Sequence, residues 1–297
     1  MKNNSKLEFS KAAQTSNDGF THFMTGLGKL NLLNYVVLII GALMMIIPFV
    51  WMLSTSFKPR AETLLFPPTL LPSKPVITNY INVFNRLDIG RLYWNTFYVS
   101  VIKTIVIVYT SALLGYIFGK FKFKGRDLIF YGILSAMIIP FQVYMIPLYM
   151  MMVDTKMADT HLALIVPYLF SAYAIFMFRQ FMYTIPNELI DAARVDGAGE
   201  WYIFNAIILP LCKSAVFMQI GFYFMWNWND FLWPLIAITS SQKNMLAVGL
   251  AGLVNDRGND YGLIMAGATL AIIPVLAVFM FVQKYVVQGI AITGMKG

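Results

Sequence analysis

Charge is scarce in this chain. Of its 297 residues, 12% are Asp, Glu, Lys or Arg and 59% are apolar, whereas a soluble domain carries about a quarter charged residues. Cysteine is nearly missing: Cys212 stands alone, which excludes an intrachain disulfide. The two histidines, His22 and His161, lie far apart without metal-ligand spacing, so they and Cys212 read as packing or interface residues. There is no H-E-x-x-H helix and no G-x-S-x-G elbow, and no G-x-x-x-x-G-K-[ST] phosphate loop occurs. The chain therefore lacks the apparatus to hydrolyse ATP itself. Carboxylates are almost absent from the apolar runs, Asp230 being the main one. Acid–base catalysis needs a positioned pair, and none is visible. The net charge of +8 is scattered over loops with no nucleic-acid module, so no nucleic-acid partner is expected.

What the chain has in abundance is apolar runs long enough to cross about 30 Å of hydrocarbon. Six are expected, at about 33–53, 95–119, 128–152, 161–182, 215–238 and 263–285. The first starts too late and runs too long for a cleaved leader, and reads as a retained span behind an N-terminal tail, 1–32. The result is an all-α polytopic membrane protein, because helices satisfy their own backbone groups where lipid offers none. Prolines recur inside the runs, at Pro48, Pro140, Pro147, Pro167, Pro234 and Pro274; each favours a kink.

Orientation follows from lysine and arginine. "KFKFKGRD" puts Lys120, Lys122, Lys124 and Arg126 in one short loop, and the tail adds Lys2, Lys6, Lys11 and Lys29. "VDTKMADT", the next loop, has only Lys156. Although 58–93 carries five basic residues, the bias places both termini in the cytoplasm. The proline-punctuated "FPPTLLPSKP" is then an irregular external segment, and 183–214 is a cytoplasmic loop.

That loop contains the oddest stretch of the chain, "ELIDAARVDGAGEW", with four acidic residues among apolar neighbours. Glu188, Asp191, Ala192 and Val195 fall on one face of a short helix beginning near Pro186. Asp196-Gly197 supplies a corner. A second helix, about 200–209, sets Trp201, Phe204 and Ile208 on one side before Pro210 ends it. An interfacial hairpin on headgroups would carry Lys and Arg; this one is acidic, which favours a docking site for a protein partner.

The stretch "LIDAARVDGAGEWYIFNAIILPL" resembles the EAA loop of ABC-importer permeases, in which E-A-A is followed at fixed spacing by G and by I-x-L-P. Asp191-Ala192-Ala193, Gly197, Ile207, Leu209 and Pro210 occupy those positions. "SFKPRAE", "ITNYINVF", "WNTF", "MIIPFQVYMIPLY", "WNWNDFLWPL" and "VVQGIAITGMKG" extend the match along almost the whole chain. Together they resemble the carbohydrate-uptake, MalG-like branch, with the type I (MetI-like) importer fold. The resemblance implies a bacterial inner-membrane heteromer: a second homologous permease subunit, two ATP-binding cassette subunits that bind ATP and Mg, and an external solute-binding protein delivering a di- or oligosaccharide. It implies no cofactor in this chain. It also implies that Glu188, Asp191, Ala192, Ala193, Asp196 and Gly197 couple to the ATPase, and that the terminal "GMKG" reaches the same interface. Two positions depart from the pattern. Asp191 stands where glutamate is usual, so a contact there closes by a backbone shift or falls partly to Glu188, and Lys213-Ser214 replace a later proline.

In "WNWNDFLWP", Asp230 is expected in a continuous helix, roughly 24 Å from its inner end. Asn227, Trp228, Asn229 and Asp230 are candidates for the sugar path; packing or an interfacial belt of Trp226, Trp228 and Trp233 is the other reading. Lys103 is expected to snorkel to the surface. Rival functions are a permease for a polyol, glycerol phosphate or other organic solute, and a secondary transporter, which would need an ion-coupling carboxylate network that a lone Asp230 does not supply.

Overall fold

The computed structural model describes residues 32–254 and 260–294, with side chains up to 284. The basic residues of the N-terminal tail, His22 and residues 295–297 of "GMKG" lie outside them. Among the described residues every regular element is helical. Helix α1, Leu32–Ser56, spans 25 residues, about 37 Å, and the rest of the chain leaves its apolar sides bare. Short helices α2 (Arg60–Thr63) and α3 (Thr78–Arg86) lead into α4, Ile89–Lys120, of 32 residues.

Three of the expected runs are divided. Helices α5 (Arg126–Ser135, prolonged by a 3-10 turn to Ile138) and α6 (Phe141–Asp154) meet at 102°. Pro140 sits at the N-cap of α6, where its missing N–H costs nothing. Helix α7 (Leu162–Ile165) and a 3-10 turn containing Pro167 bend by 43° into α8, Ala172–Thr184. Helix α9 (Asn187–Val195) follows, then α10 (Glu200–Tyr202), a π-helical stretch Ile203–Ile208 and α11 (Leu209–Leu211). An 80° turn at Cys212 starts α12, Lys213–Trp228. The expected helix 215–238 ends there: residues 229–231 are unwound before α13, Leu232–Ala237. Helices α14 (Leu246–Ala251) and α15 (Tyr261–Gly294) complete the chain. Helices α1, α4 and α15 are each long and apolar enough to cross a bilayer, and the three bent pairs raise the number to six if each is one crossing.

The body is organised around α4. Gly115 and Gly119 let α8 approach so closely that a Cβ at Gly115 would lie 2.5 Å from Phe178 Cβ and 3.0 Å from the Arg179 backbone nitrogen. One half of α4 joins α8, α9, α12 and the π stretch in a core of Ile107, Tyr116, Phe178, Met182, Ile203, Phe204 and Ile208. The other half packs with α3, α12, α14 and α15 around Leu92, Trp228 and Leu263. Gly115→Leu is expected to split the α4–α8 contact, because backbone as well as side chain would have to move. The cost is about 1–3 kcal/mol or more, read as an earlier loss of the monodisperse peak on heating in detergent; an unchanged melting profile would refute this packing.

Candidate coupling loop and buried polar path

Helix α9 ends in a glycine cap. The Ala198 amide donates to the Ala193 carbonyl (2.9 Å) and the Gly197 amide to the Arg194 carbonyl (3.0 Å). These bonds close a Schellman turn with Gly197 at φ +84°. No side chain crowds Gly197, so backbone conformation alone demands glycine there.

Below this corner an ionic knot ties the loop to itself and to α4. Arg194 Nε donates to Glu200 Oε1 (2.6 Å) and Nη1 to Asp191 Oδ1 (3.0 Å). Tyr116 of α4 donates its hydroxyl to the other Glu200 oxygen (3.0 Å). The hydrogen bond from Arg194 holds the Glu200 carboxyl below its ordinary value. Lys120, at the end of α4, donates to the Ile185 carbonyl and Asn187 Oδ1. Ile190 and Ala193 turn inward onto the shared core, while Glu188, Asp191, Ala192, Asp196 and Gly197 are exposed.

The loop's apolar face is continuous with the bundle core, and one expectation about its second helix is corrected. Ala193 faces inward, so of the two alanines only Ala192 offers a small outer surface. Trp201 is exposed although Phe204 and Ile208 are buried, because the π-helical turn shifts the inward register to Ile203 and Ile208, five residues apart.

The second polar region lies along α4. Lys103 does not snorkel: it is 4% exposed and pairs with Asp230 at 3.1 Å, with its ammonium 3.9 Å from the centre of the Tyr168 ring. A buried ammonium needs a counter-charge, and the unwound segment after α12 brings Asp230 to it. Asp230 thus sits at a break, not within a continuous helix. Asn227 is buried and donates to Thr104 Oγ1 at 3.1 Å. Trp228 is buried against Phe224, its indole donating to the Ala271 carbonyl at 3.0 Å. Asn229 is exposed and donates to the Met225 carbonyl. Of the four, Asn227 and Asp230 meet α4, Trp228 meets α15, and Asn229 bonds back to α12.

A third cluster had little signal in the sequence. Asp159, in the left-handed region at φ +57°, accepts from the Thr239 and Ser240 amides (2.9 and 2.8 Å) and from Lys243 Nζ (3.3 Å). These bonds, Ser240 foremost, hold its carboxyl far below the usual range. His161 touches the Lys243 carbonyl (2.8 Å) and the Tyr98 hydroxyl, a packing role. An Asp followed by His in a short loop could have hinted at it, but the 239–243 partner is invisible at that distance along the chain.

Helices of spanning length, a long polar-striped central helix and a capped acidic loop locked to its end define a polytopic transport-type membrane protein. Residues 111–292 match the family model described as "Binding-protein-dependent transport system inner membrane component". The chain belongs to this family. It is 35% identical over 262 residues to the arabinooligosaccharides transport system permease protein AraQ of Bacillus subtilis (strain 168), covering 86% of this chain and 92% of that one. It is 34% identical over 259 residues to the lactose transport system permease protein LacG of Rhizobium radiobacter, covering 87% and 94%. Likeness extends to the sn-glycerol-3-phosphate transport system permease protein UgpE of Brucella abortus (strain 2308), at 31% over 272 residues, covering 89% and 96%. A solved bacterial ABC transporter involved in the import of the acidic polysaccharide alginate has the same fold, with a TM-score of 0.74 at 24% identity over 86% of this chain and 96% of that one.

Lys103 and Asp230 are expected to be coupled. Lys103→Met alone or Asp230→Asn alone should each destabilise the protein, by up to about 3–5 kcal/mol for a fully buried pair and less here because Asp230 is partly exposed. The double variant should recover most of the loss, and a thermal-stability cycle with simply additive losses would sink the coupling.

Proposed function

We propose that this chain is one transmembrane subunit of an ATP-driven, binding-protein-dependent importer for a di- or oligosaccharide in the bacterial inner membrane. It has six crossings, both termini in the cytoplasm, and a permease domain of residues 33–297 behind the tail. A second homologous permease subunit completes the path, two separate ATP-binding cassette subunits bind and hydrolyse ATP with Mg, and an external solute-binding protein delivers the sugar.

The observation that carries this reading is the continuity between loop 183–214 and the bundle. A lever must be stiff, and here Arg194, Glu200, Tyr116 and Lys120 bolt the loop to the end of α4. Movement of a docked ATPase would therefore be passed to α4, α8 and α12 as a rigid displacement, the element that alternating access requires. Glu188, Asp191, Ala192, Ala193, Asp196 and Gly197 form the coupling element. Arg194 already engages Asp191, so Glu188 and Asp196, with no ion pair among the described residues, present the outward charge.

Asn227, Trp228, Asn229 and Asp230 are assigned to the sugar path, with Asn229 and the open side of Asp230 nearest to a passing solute. Both sugar and glycerol-phosphate permeases are among the relatives. The sugar reading is favoured because Asp230 already neutralises Lys103, leaving that pair without the net positive charge a phosphate would seek.

The reading is tested in the reconstituted complex. Lys at both Glu188 and Asp191 should release the ATPase on affinity purification, while Gly197→Val should insert normally yet lose at least tenfold in sugar-stimulated ATP hydrolysis. The β-branched residue costs about 1–2 kcal/mol in the left-handed region, enough to unwind the corner. Wild-type recovery of ATPase by the first variant, or wild-type stimulation in the second, would overturn the coupling assignment. Screening sugars and glycerol phosphate for stimulation decides the substrate class.

A further inference from the structure

Two charges of the segment that joins α1 to α4 are hidden, Lys58 at 2% exposed and Glu62 at 6%, while Arg60, Lys74 and Arg86 stay on its surface. Much of its apolar surface is open as well: Phe66 is 94% exposed, and Leu64, Leu65, Leu70 and Leu71 are all more than half exposed. The arrangement is held firmly. Glu62 accepts from Thr69 Oγ1, the Ser73 amide and Ser73 Oγ, at 2.8–3.2 Å. Lys58 donates to the Thr69 carbonyl and stacks over the Trp51 ring.

Helix α3 continues the pattern. Ile77 at its N-cap, Ile81 and Phe84 follow at i, i+4 and i+7 and are all exposed, whereas Asn79 and Val83 are buried. An exposed apolar stripe at that spacing is one face of an amphipathic helix.

The height of this segment along the molecule is set by hydrogen bonds to the last turn of α1 and the two residues after it. Ser54 Oγ donates to the Leu70 carbonyl, Lys58 Nζ to the Thr69 carbonyl and the Val76 amide to the Phe57 carbonyl. Asn79 Nδ2 donates to the carbonyls of Ser56 and Lys58, both at 2.8 Å. Centring about 30 Å of hydrocarbon on the middle of α1, at Met44, places its boundary about ten residues away, level with Ser54. The loop and α3 are pinned to that level.

We propose that residues 64–84 form an interfacial anchor whose leucines, Phe66, Ile81 and Phe84 lie in the lipid at the α1 end of the molecule. A protein surface covering the same residues would call for about one hydrogen bond per 100–200 Å². The loop's Glu62, Lys58, Thr69 and Ser73 are already committed to one another, lipid asks for none, and the exposed Lys74 and Arg86 suit anionic headgroups at the boundary. Apolar side chains on a backbone held at headgroup depth are what an interfacial element presents to a membrane. The anchor fixes the tilt and depth of α1, which gains little support from the rest of this chain.

The test does not depend on which solute is carried. Phe66→Cys and Ile81→Cys are made in the full chain, assembled with cysteine-free partner subunits, labelled with a nitroxide and placed in phosphatidylcholine–phosphatidylglycerol nanodiscs. Cys212 is buried, and the unsubstituted chain serves as the labelling blank. At both positions oxygen, which concentrates in lipid, should relax the label several-fold more strongly than a water-soluble nickel chelate. A chelate-dominated signal at either position would place the segment in water and overturn the proposal. A label reached by neither reagent would mean a protein covers the segment, and would overturn it equally.

Discussion

The polar face of α4 is the constraint on which the rest of the structure depends. Its buried side includes Asn95, Thr96, Ser100, Lys103, Thr104 and Ser111, in a chain otherwise made to meet hydrocarbon. A buried polar group without a partner costs on the order of 1–3 kcal/mol, and a charge more. Nearly every one is answered by a different element. Asn95 donates to the carbonyls of Gln242 and Asn244, and Thr96 Oγ1 accepts the Leu246 amide. Lys103 and Thr104 take Asp230 and Asn227, and Ser111 accepts the Ser171 amide. Of these six, Ser100 alone is left without a side-chain hydrogen-bond partner among the described residues. The stripe thus specifies where each neighbouring segment must lie, which dispersion between greasy helices does only weakly.

The breaks in the helices follow from the same need. Residues 229–231 unwind where Asp230 meets Lys103, and the 3-10 turn at Val166–Tyr168 brings Tyr168 over the same ammonium. Irregular backbone at membrane depth is tolerated where it packs on protein or lines a water-filled path; Asp230 is half-buried against Lys103, and Asn229 beside it is exposed. At the other end of α4, Tyr116 and Lys120 extend the polar logic to the loop that precedes α12. One helix therefore touches the 242–246 segment, the buried ion pair and loop 183–214. Motion entering at α9 has a continuous, hydrogen-bonded route to Asp230.

Much of this was legible in residues. The apolar runs announced the helical membrane architecture, the spacing from Asp191 to Pro210 announced the family, and Asp196-Gly197 announced a corner that Gly197 takes with positive φ. Periodicity failed at Trp201, because a π-helical turn has no signature at 3.6-residue spacing. It failed at Asp230, where 215–238 has the length of one span although Pro234, which cannot donate to the carbonyl four residues back, marks a break. Snorkelling was the reasonable fate for a lone lysine; a partner 127 residues away changed it.

The sequence by itself determined that the chain would be helical and membrane-embedded, and to which family it belongs. Those properties arise from hydrophobicity summed over windows and from motifs fixed within about twenty residues. Only the tertiary structure decided that Arg194 would spend its charge on Asp191 and Glu200, that Lys103 would be neutralised inside the body, and that Lys58 and Glu62 would turn inward while Phe66 turned out. Each is a pairing or a burial between segments brought together only by folding, and electrostatics at such distances along the chain is set by who arrives, not by who is adjacent.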